Sequence, residues 1–190
     1  MGILFLIGPR GSGKTLMASI LAQKHGCRTC DTDALIREKT GKSVADIVAE
    51  GGWPAFRALE KAALAEAVAR MREGGGPAVI ATGGGIVLDP ENRERMRAEG
   101  VVAYLAAPPN VLARRLPPPQ NDPSRPSLTN LPPEQEIARV LQEREPLYRA
   151  AAHHVVDAAR PPESVAAILR GHIMAHATVH AKGGRDQGAV

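Results

Sequence analysis

The sequence predicts an α/β protein with a parallel sheet, on three observations. Short, wholly apolar runs such as residues 3–7 and 78–81 are what strands buried on both faces require. Helix-forming stretches separate one run from the next, and strand–helix alternation is the pattern of parallel sheets. The first run opens directly into a glycine-rich loop and then a helix, a junction where such sheets bind phosphates.

The elements follow in order. Residues 3–7 form the first strand, and residues 15–24 read as a helix that Gly26 is placed to end. A second short strand leads through Cys30 to Asp31. Asp33 then stands near the N-cap of a helix running to Lys39, with Gly41 as its stop. Residues 56–72, rich in alanine and leucine, form a long helix closed by Gly74, Gly75 and Gly76. Strands at 78–81 and 101–105 flank a charged helix at 90–99. A helix at 110–116 is followed by a proline-rich stretch, 117–133, that forbids a regular element. A helix at 134–148, a fifth strand at 153–157 and a last helix at 163–175 complete the pattern. Residues 177–190, rich in Gly, Ala and His without a period, are expected to be a frayed, disordered tail.

At 190 residues the chain is long enough for one domain with a real core, expected over residues 1–176. Lys and Arg (24) exceed Asp and Glu (20) by 4, too small an excess to argue for nucleic acid without a patch. Aromatic residues make up 3% and are scattered, which also speaks against a base-stacking surface. No apolar run reaches the length of a membrane span, and the N-terminus lacks the features of a signal peptide. A cytoplasmic protein with no membrane or nucleic-acid partner is therefore expected, and a monomer.

Gly8-Pro9-Arg10-Gly11-Ser12-Gly13-Lys14-Thr15 fits G-x-x-x-x-G-K-[ST], with the buried strand before it and the helix after it that the motif demands. Glycines let consecutive backbone N–H groups turn inward around an anion, and the helix N-terminus adds positive potential. Lys14 is placed to reach the β and γ phosphates, and the Thr15 hydroxyl to ligate Mg²⁺. This is a nucleotide site, but the motif alone does not separate kinase, GTPase and mechanical ATPase.

Three further constellations bear on an acceptor. Asp31 and Asp33, at the end of the second strand, are expected to face the phosphate loop together, one toward a metal and one toward the acceptor. The plainer reading makes Asp33 a helix cap and Asp31 a solvated loop residue. Arg57 and Glu60 are three apart on one helix, so the carboxylate can fix the guanidinium as a fork for a carboxylate ligand; otherwise they are an ordinary surface pair. Gly83, Gly84 and Gly85 follow a buried strand and allow close approach of a ligand to backbone.

In this order the phosphate loop, Asp31-x-Asp33, Phe56-Arg57-x-x-Glu60, the triple glycine, Arg125-Pro126-Ser127-Leu128 and Arg144-x-x-x-Tyr148 resemble shikimate kinase. The likeness covers about residues 3–175 and looks strongest to the type II isozyme. It implies a three-layer α/β/α fold on a five-stranded parallel sheet, the P-loop NTPase fold, as in nucleoside monophosphate kinases. A lid at about 111–127 and a substrate-binding segment at about 33–60 would close over the site. The implied reaction is ATP-dependent phosphorylation of the 3-hydroxyl of shikimate in chorismate and aromatic amino acid biosynthesis, with Mg²⁺ as cofactor.

The resemblance also assigns roles. Gly11, Ser12, Gly13, Lys14, Thr15 and Leu16 would hold ATP, Leu16 standing where many relatives carry a second hydroxyl residue. Thr15 would bind Mg²⁺ directly and Asp31 through water. Asp33 would bond the shikimate hydroxyls and act as base. Arg57 and Arg144 would clamp the substrate carboxylate with help from Gly83, Gly84 and Gly85. Arg125, in the lid, would reach ATP and the transferring phosphate, and the place of Arg115 suits stacking on adenine. Phosphoryl transfer needs positioning and charge more than covalent help, and a lid that excludes water.

Other signals are weaker. Cys27-x-x-Cys30 has no second metal pair beside it and reads as structural thiols. His172, His176 and His180 recur at a helical spacing near the end of the chain, where a metal role is not favoured. A gluconate-type kinase of the same fold, or a nucleotide-dependent regulatory protein without an acceptor, are the rival readings. The first would lack Arg57 and Arg144, and the second has no use for Asp33, Arg57 and the triple glycine together.

Overall fold

The computed structural model describes residues 2–116, 128, 129 and 131–183. Five strands, β1 (Ile3–Ile7), β2 (Arg28–Asp31), β3 (Ala78–Ala81), β4 (Gly100–Ala106) and β5 (His154–Asp157), form one sheet in the order β2-β3-β1-β4-β5. Every pairing is parallel. Alternate residues of β1 enter different cores, which is why the strand is apolar throughout. Ile3, Phe5 and Ile7 pack with Tyr104 and Phe56 on one face, under α2 (Thr32–Thr40), α3 (Val44–Glu73) and α6 (Pro133–Ala151). Leu4 and Leu6 pack with Leu21 and Leu169 on the other, under α1 (Lys14–His25) and α7 (Pro162–Gly183). This is a three-layer α/β/α arrangement, completed by α4 (Pro90–Glu99) and α5 (Pro109–Arg115).

The central strand β1 is flanked by β3 and β4, so the chain departs in opposite directions on its two sides. Ligands of open parallel sheets bind at such a switch point, beyond the carboxyl ends of the strands. A cleft of about 750 Å³ opens there.

The structure departs from the sequence expectation in four places. Asp31, not Asp33, caps α2, its Oδ1 accepting from the Asp33 and Ala34 N–H groups. Asp33 therefore lies in the first turn of a helix, and strand alternation does not govern where it points. The helix expected from residue 56 begins at Val44, where Ser43 and Asp46 form a capping box. Gly52 (φ 70) and Pro54 break it into two segments, and these same residues hide the first segment from a reading by composition. A short 3-10 turn, Ile86–Leu88, closes the triple-glycine loop and was not expected. Finally, α7 continues through Gly183 into the stretch expected as a tail, because nothing between Gly171 and Gly183 breaks a helix. The rest of that tail and most of the proline-rich stretch, including Arg125, lie outside the described residues.

No helix among the described residues is long and apolar enough to cross a membrane.

Candidate active site

The nucleotide side of the cleft is built mainly from backbone. Gly8 (φ 146), Gly11 (φ 79) and Gly13 (φ 92) take left-handed conformations that turn the loop around a concave centre. Gly13 caps α1 with no side chain, which leaves the first N–H groups of the helix for a ligand. Lys14 folds back along the loop, its Nζ donating to the carbonyls of Gly8 (2.8 Å) and Pro9 (2.9 Å). The Ser12 hydroxyl is buried without a hydrogen-bond partner in the loop. At the start of α1, Thr15 Oγ1 donates to Asp31 Oδ2 at 2.9 Å, joining the loop to the end of β2.

One hydroxyl and one carboxylate in contact are a sparse donor set. They suit Mg²⁺, which keeps several waters and is completed by substrate phosphates, rather than an all-protein cage. The sequence expectation of Thr15 and Asp31 on one metal is compatible with this geometry.

The acceptor side is built from side chains on separate elements. Asp33 of α2 faces the cleft close to Gly83, beside the loop. Burial, then the nearby charge of Asp31, push its carboxyl above the usual range, while Lys14, Arg10 and Arg37 pull it down. Arg57, on α3, pairs with Glu60 one turn on, and its guanidinium lies 5.3 Å from the Trp53 ring and 5.2 Å from that of Phe56. Glu60 is 1% exposed; its Oε2 accepts from Arg57 and its Oε1 has no partner. Desolvation pushes this carboxyl up and Arg57 opposes the shift. The pair is thus not a solvated surface contact but a guanidinium held on a buried carboxylate and lying against two aromatic rings that themselves pack edge to face.

The triple glycine makes room for these groups. A Cβ on Gly83 would lie 2.6 Å from Glu60 Oε1 and 2.7 Å from Asp33 Oδ1, and one on Gly85 would fall 2.1 Å from Arg57 Nη1. The loop is pinned on both sides. Thr32 Oγ1 accepts from the Gly83 N–H at 3.0 Å, while the Gly84 carbonyl accepts from Arg144 Nη1 (3.3 Å) and from the Tyr148 hydroxyl. Arg144 thereby stands beside Arg57 on the same wall of the cleft, brought there by α6.

At the far end, Arg115 closes α5 and donates from Nη2 to the Ala158 carbonyl at 2.8 Å, with Pro162 lining the cleft nearby. Leu16 is half-exposed on the same side. The structure therefore brings to one cleft every expected site residue that it describes. Sequence reasoning missed the anchoring of Gly83 by Thr32, the aromatic flanks of Arg57 and the bond from Tyr148 to Gly84. Only the last left a signal, the one-turn spacing of Arg144 and Tyr148. Elsewhere, Cys27 is buried and Cys30 half-buried, burial pushing both thiols up, and His172 stacks on His154 at 3.7 Å.

Comparison with known proteins places this geometry. The family model for shikimate kinase matches residues 10–172. Shikimate kinase of Oleidesulfovibrio alaskensis is 51% identical over 166 residues, covering 86% of this chain and 92% of that protein. Shikimate kinase 2 of Sodalis glossinidius is 48% identical, covering 87% and 92%. Among solved structures, shikimate kinase from Acinetobacter baumannii in complex with shikimate superposes with a TM-score of 0.81 at 31% identity, over 92% of this chain and 94% of that one. The chain belongs to the shikimate kinase family.

Proposed function

We propose that the chain transfers the γ-phosphoryl group of ATP to the 3-hydroxyl of shikimate, giving shikimate 3-phosphate and ADP. The observation that carries this reading is the pairing of two arginines, Arg57 and Arg144, over the triple glycine, with Asp33 between them and the phosphate loop. A nucleotide hydrolase or switch needs no such wall. Two guanidinium groups facing one pocket match a carboxylate, and the adjoining carboxylate of Asp33 matches hydroxyls.

In the reaction, Asp33 accepts the proton of the 3-hydroxyl as its oxygen bonds to the γ-phosphorus, and the bond to the β–γ bridging oxygen breaks to release ADP. The raised affinity of Asp33 for a proton suits a group that must take one up during the step. Lys14, released from the loop carbonyls by incoming phosphates, places its charge on the β and γ oxygens. Thr15 directly and Asp31 through water would hold Mg²⁺, which would supply neutralisation of phosphate charge. The amides at the start of α1 receive the phosphates, and Leu16 and Arg115 face the rest of the nucleotide. Arg125, outside the described residues, completes the proposed charge at the moving phosphoryl group, with residues 111–127 as the lid. Apart from the proton taken by Asp33, this is binding and charge placement, on which phosphoryl transfer chiefly depends.

The test is a coupled assay of ADP release with shikimate, with gluconate and with neither. The proposal expects release that depends on shikimate. Release with gluconate alone, or equal release without an acceptor, overturns it.

A further inference from the structure

Tyr148 has no part in the reaction as described, yet it stands buried behind the acceptor wall, bonded to Gly84. It lies one turn after Arg144 on α6, is 1% exposed, and stacks on Tyr104 with ring centroids 5.0 Å apart. Its hydroxyl donates to the Gly84 carbonyl, and Arg144 Nη1 donates to that same carbonyl at 3.3 Å. A hydroxyl has one hydrogen and a guanidinium has no acceptor. With the hydroxyl hydrogen committed to one lone pair of the Gly84 carbonyl, the other lone pair is left for Arg144. The three groups therefore form one chain, in which the buried ring fixes the hydroxyl, the hydroxyl fixes the Gly84 carbonyl and that carbonyl receives the guanidinium.

We infer that Tyr148 is the positioning residue of Arg144, as Glu60 is of Arg57, and that it holds the second arginine ready for the acceptor carboxylate. The inference rests on the proposed function. The two orienting groups differ in a useful way. Glu60 balances the charge of Arg57, whereas neutral Tyr148 leaves that of Arg144 available to a carboxylate. Without the hydroxyl, the Gly84 carbonyl loses the donor that fixes it, and the guanidinium bonded to that carbonyl loses its placement.

Tyr148→Phe removes one hydroxyl from a ring that stays packed on Tyr104. Compared with Arg144→Ala and with the double variant, it should raise KM for shikimate about tenfold while kcat falls less, the scale of a lost hydrogen bond to a charged group. KM for ATP and the thermal midpoint of the unliganded protein should stay near those of the parent. In the Arg144→Ala background the same change should add little, because Tyr148 acts through Arg144. Equal losses for both substrates, a large drop in thermal midpoint, or full additivity with Arg144→Ala would make Tyr148 merely structural and overturn the inference. If Arg144→Ala raises KM for shikimate and Tyr148→Phe does not, the inference fails and the acceptor site stands. If Arg144→Ala leaves shikimate unaffected, the assignment of the site itself falls.

Discussion

The cleft is bordered by two glycine-rich loops, and the need for glycine that each shares along its length is different. In the phosphate loop Gly8, Gly11 and Gly13 all have positive φ; a Cβ on Gly13 would meet nothing within 4 Å, while one on Gly8 would also crowd the Leu105 carbonyl at 2.8 Å. There the requirement all three share is conformational. In the triple glycine none of the three residues has positive φ, yet a Cβ on Gly83 or Gly85 would run into Asp33, Glu60 or Arg57. Here the requirement is space. The difference follows from what each loop serves. The first offers its own backbone to phosphates, and the second withdraws so that side chains from α2, α3 and α6 can meet the acceptor.

The contrast can be broken most severely at Lys14. Its ammonium spans two loop carbonyls and is the charge meant for the phosphates, so Lys14→Met should cut turnover by about a thousandfold or more. Because Lys14 also ties the loop together, ATP affinity should change as well, and a nucleotide titration beside steady-state kinetics measures both.

Asp33→Asn comes next, with an expected loss in kcat of about a hundredfold or more and folding intact. This variant should also be more stable than the parent. Burial and Asp31 raise the folded pKa of Asp33 above its unfolded value, so its contribution to stability is full at low pH and is lost as pH rises through the folded pKa. Thermal melts across pH should show the gap between variant and parent opening with rising pH and closing below.

The glycine comparison itself is sharpened by two alanines. Gly83→Ala should weaken shikimate binding by about 1–3 kcal/mol through overpacking against Asp33 and Glu60, and leave ATP alone. Gly13→Ala should do the reverse, through backbone strain at φ 92. Titrating both ligands into both variants decides whether the two loops are as separate as their geometry says.

The same contrast explains what could be read from sequence. The nucleotide side is contiguous, so its strand, glycines, Lys14 and Thr15 are legible together. The buried strands are legible too, since residues such as Phe5 and Leu6 must be apolar to fill both cores. The acceptor side is spread over residues 32–148, and composition alone saw only fragments of it: a carboxylate pair, an arginine with its glutamate, three glycines. The resemblance joined them, and the fold supplies the reason they meet. Thr32 escaped notice because a threonine in a helix carries no mark that its hydroxyl will hold Gly83. The segment from Val44 escaped because Gly52 and Pro54 read as loop, whereas a capping box starts a helix before them.

The separation of the half-sites is tested most directly by calorimetry of ATP and shikimate on Arg57→Ala. Arg57 is paired with a buried carboxylate on the acceptor wall and makes no bond to the phosphate loop among the described residues. The expected result is a loss in shikimate binding of about 2–5 kcal/mol, the range for truncating one partner of a buried charge pair, with ATP affinity unchanged. Equal losses for the two ligands would contradict the account, because they would make Arg57 a support of the whole cleft rather than half of a carboxylate clamp.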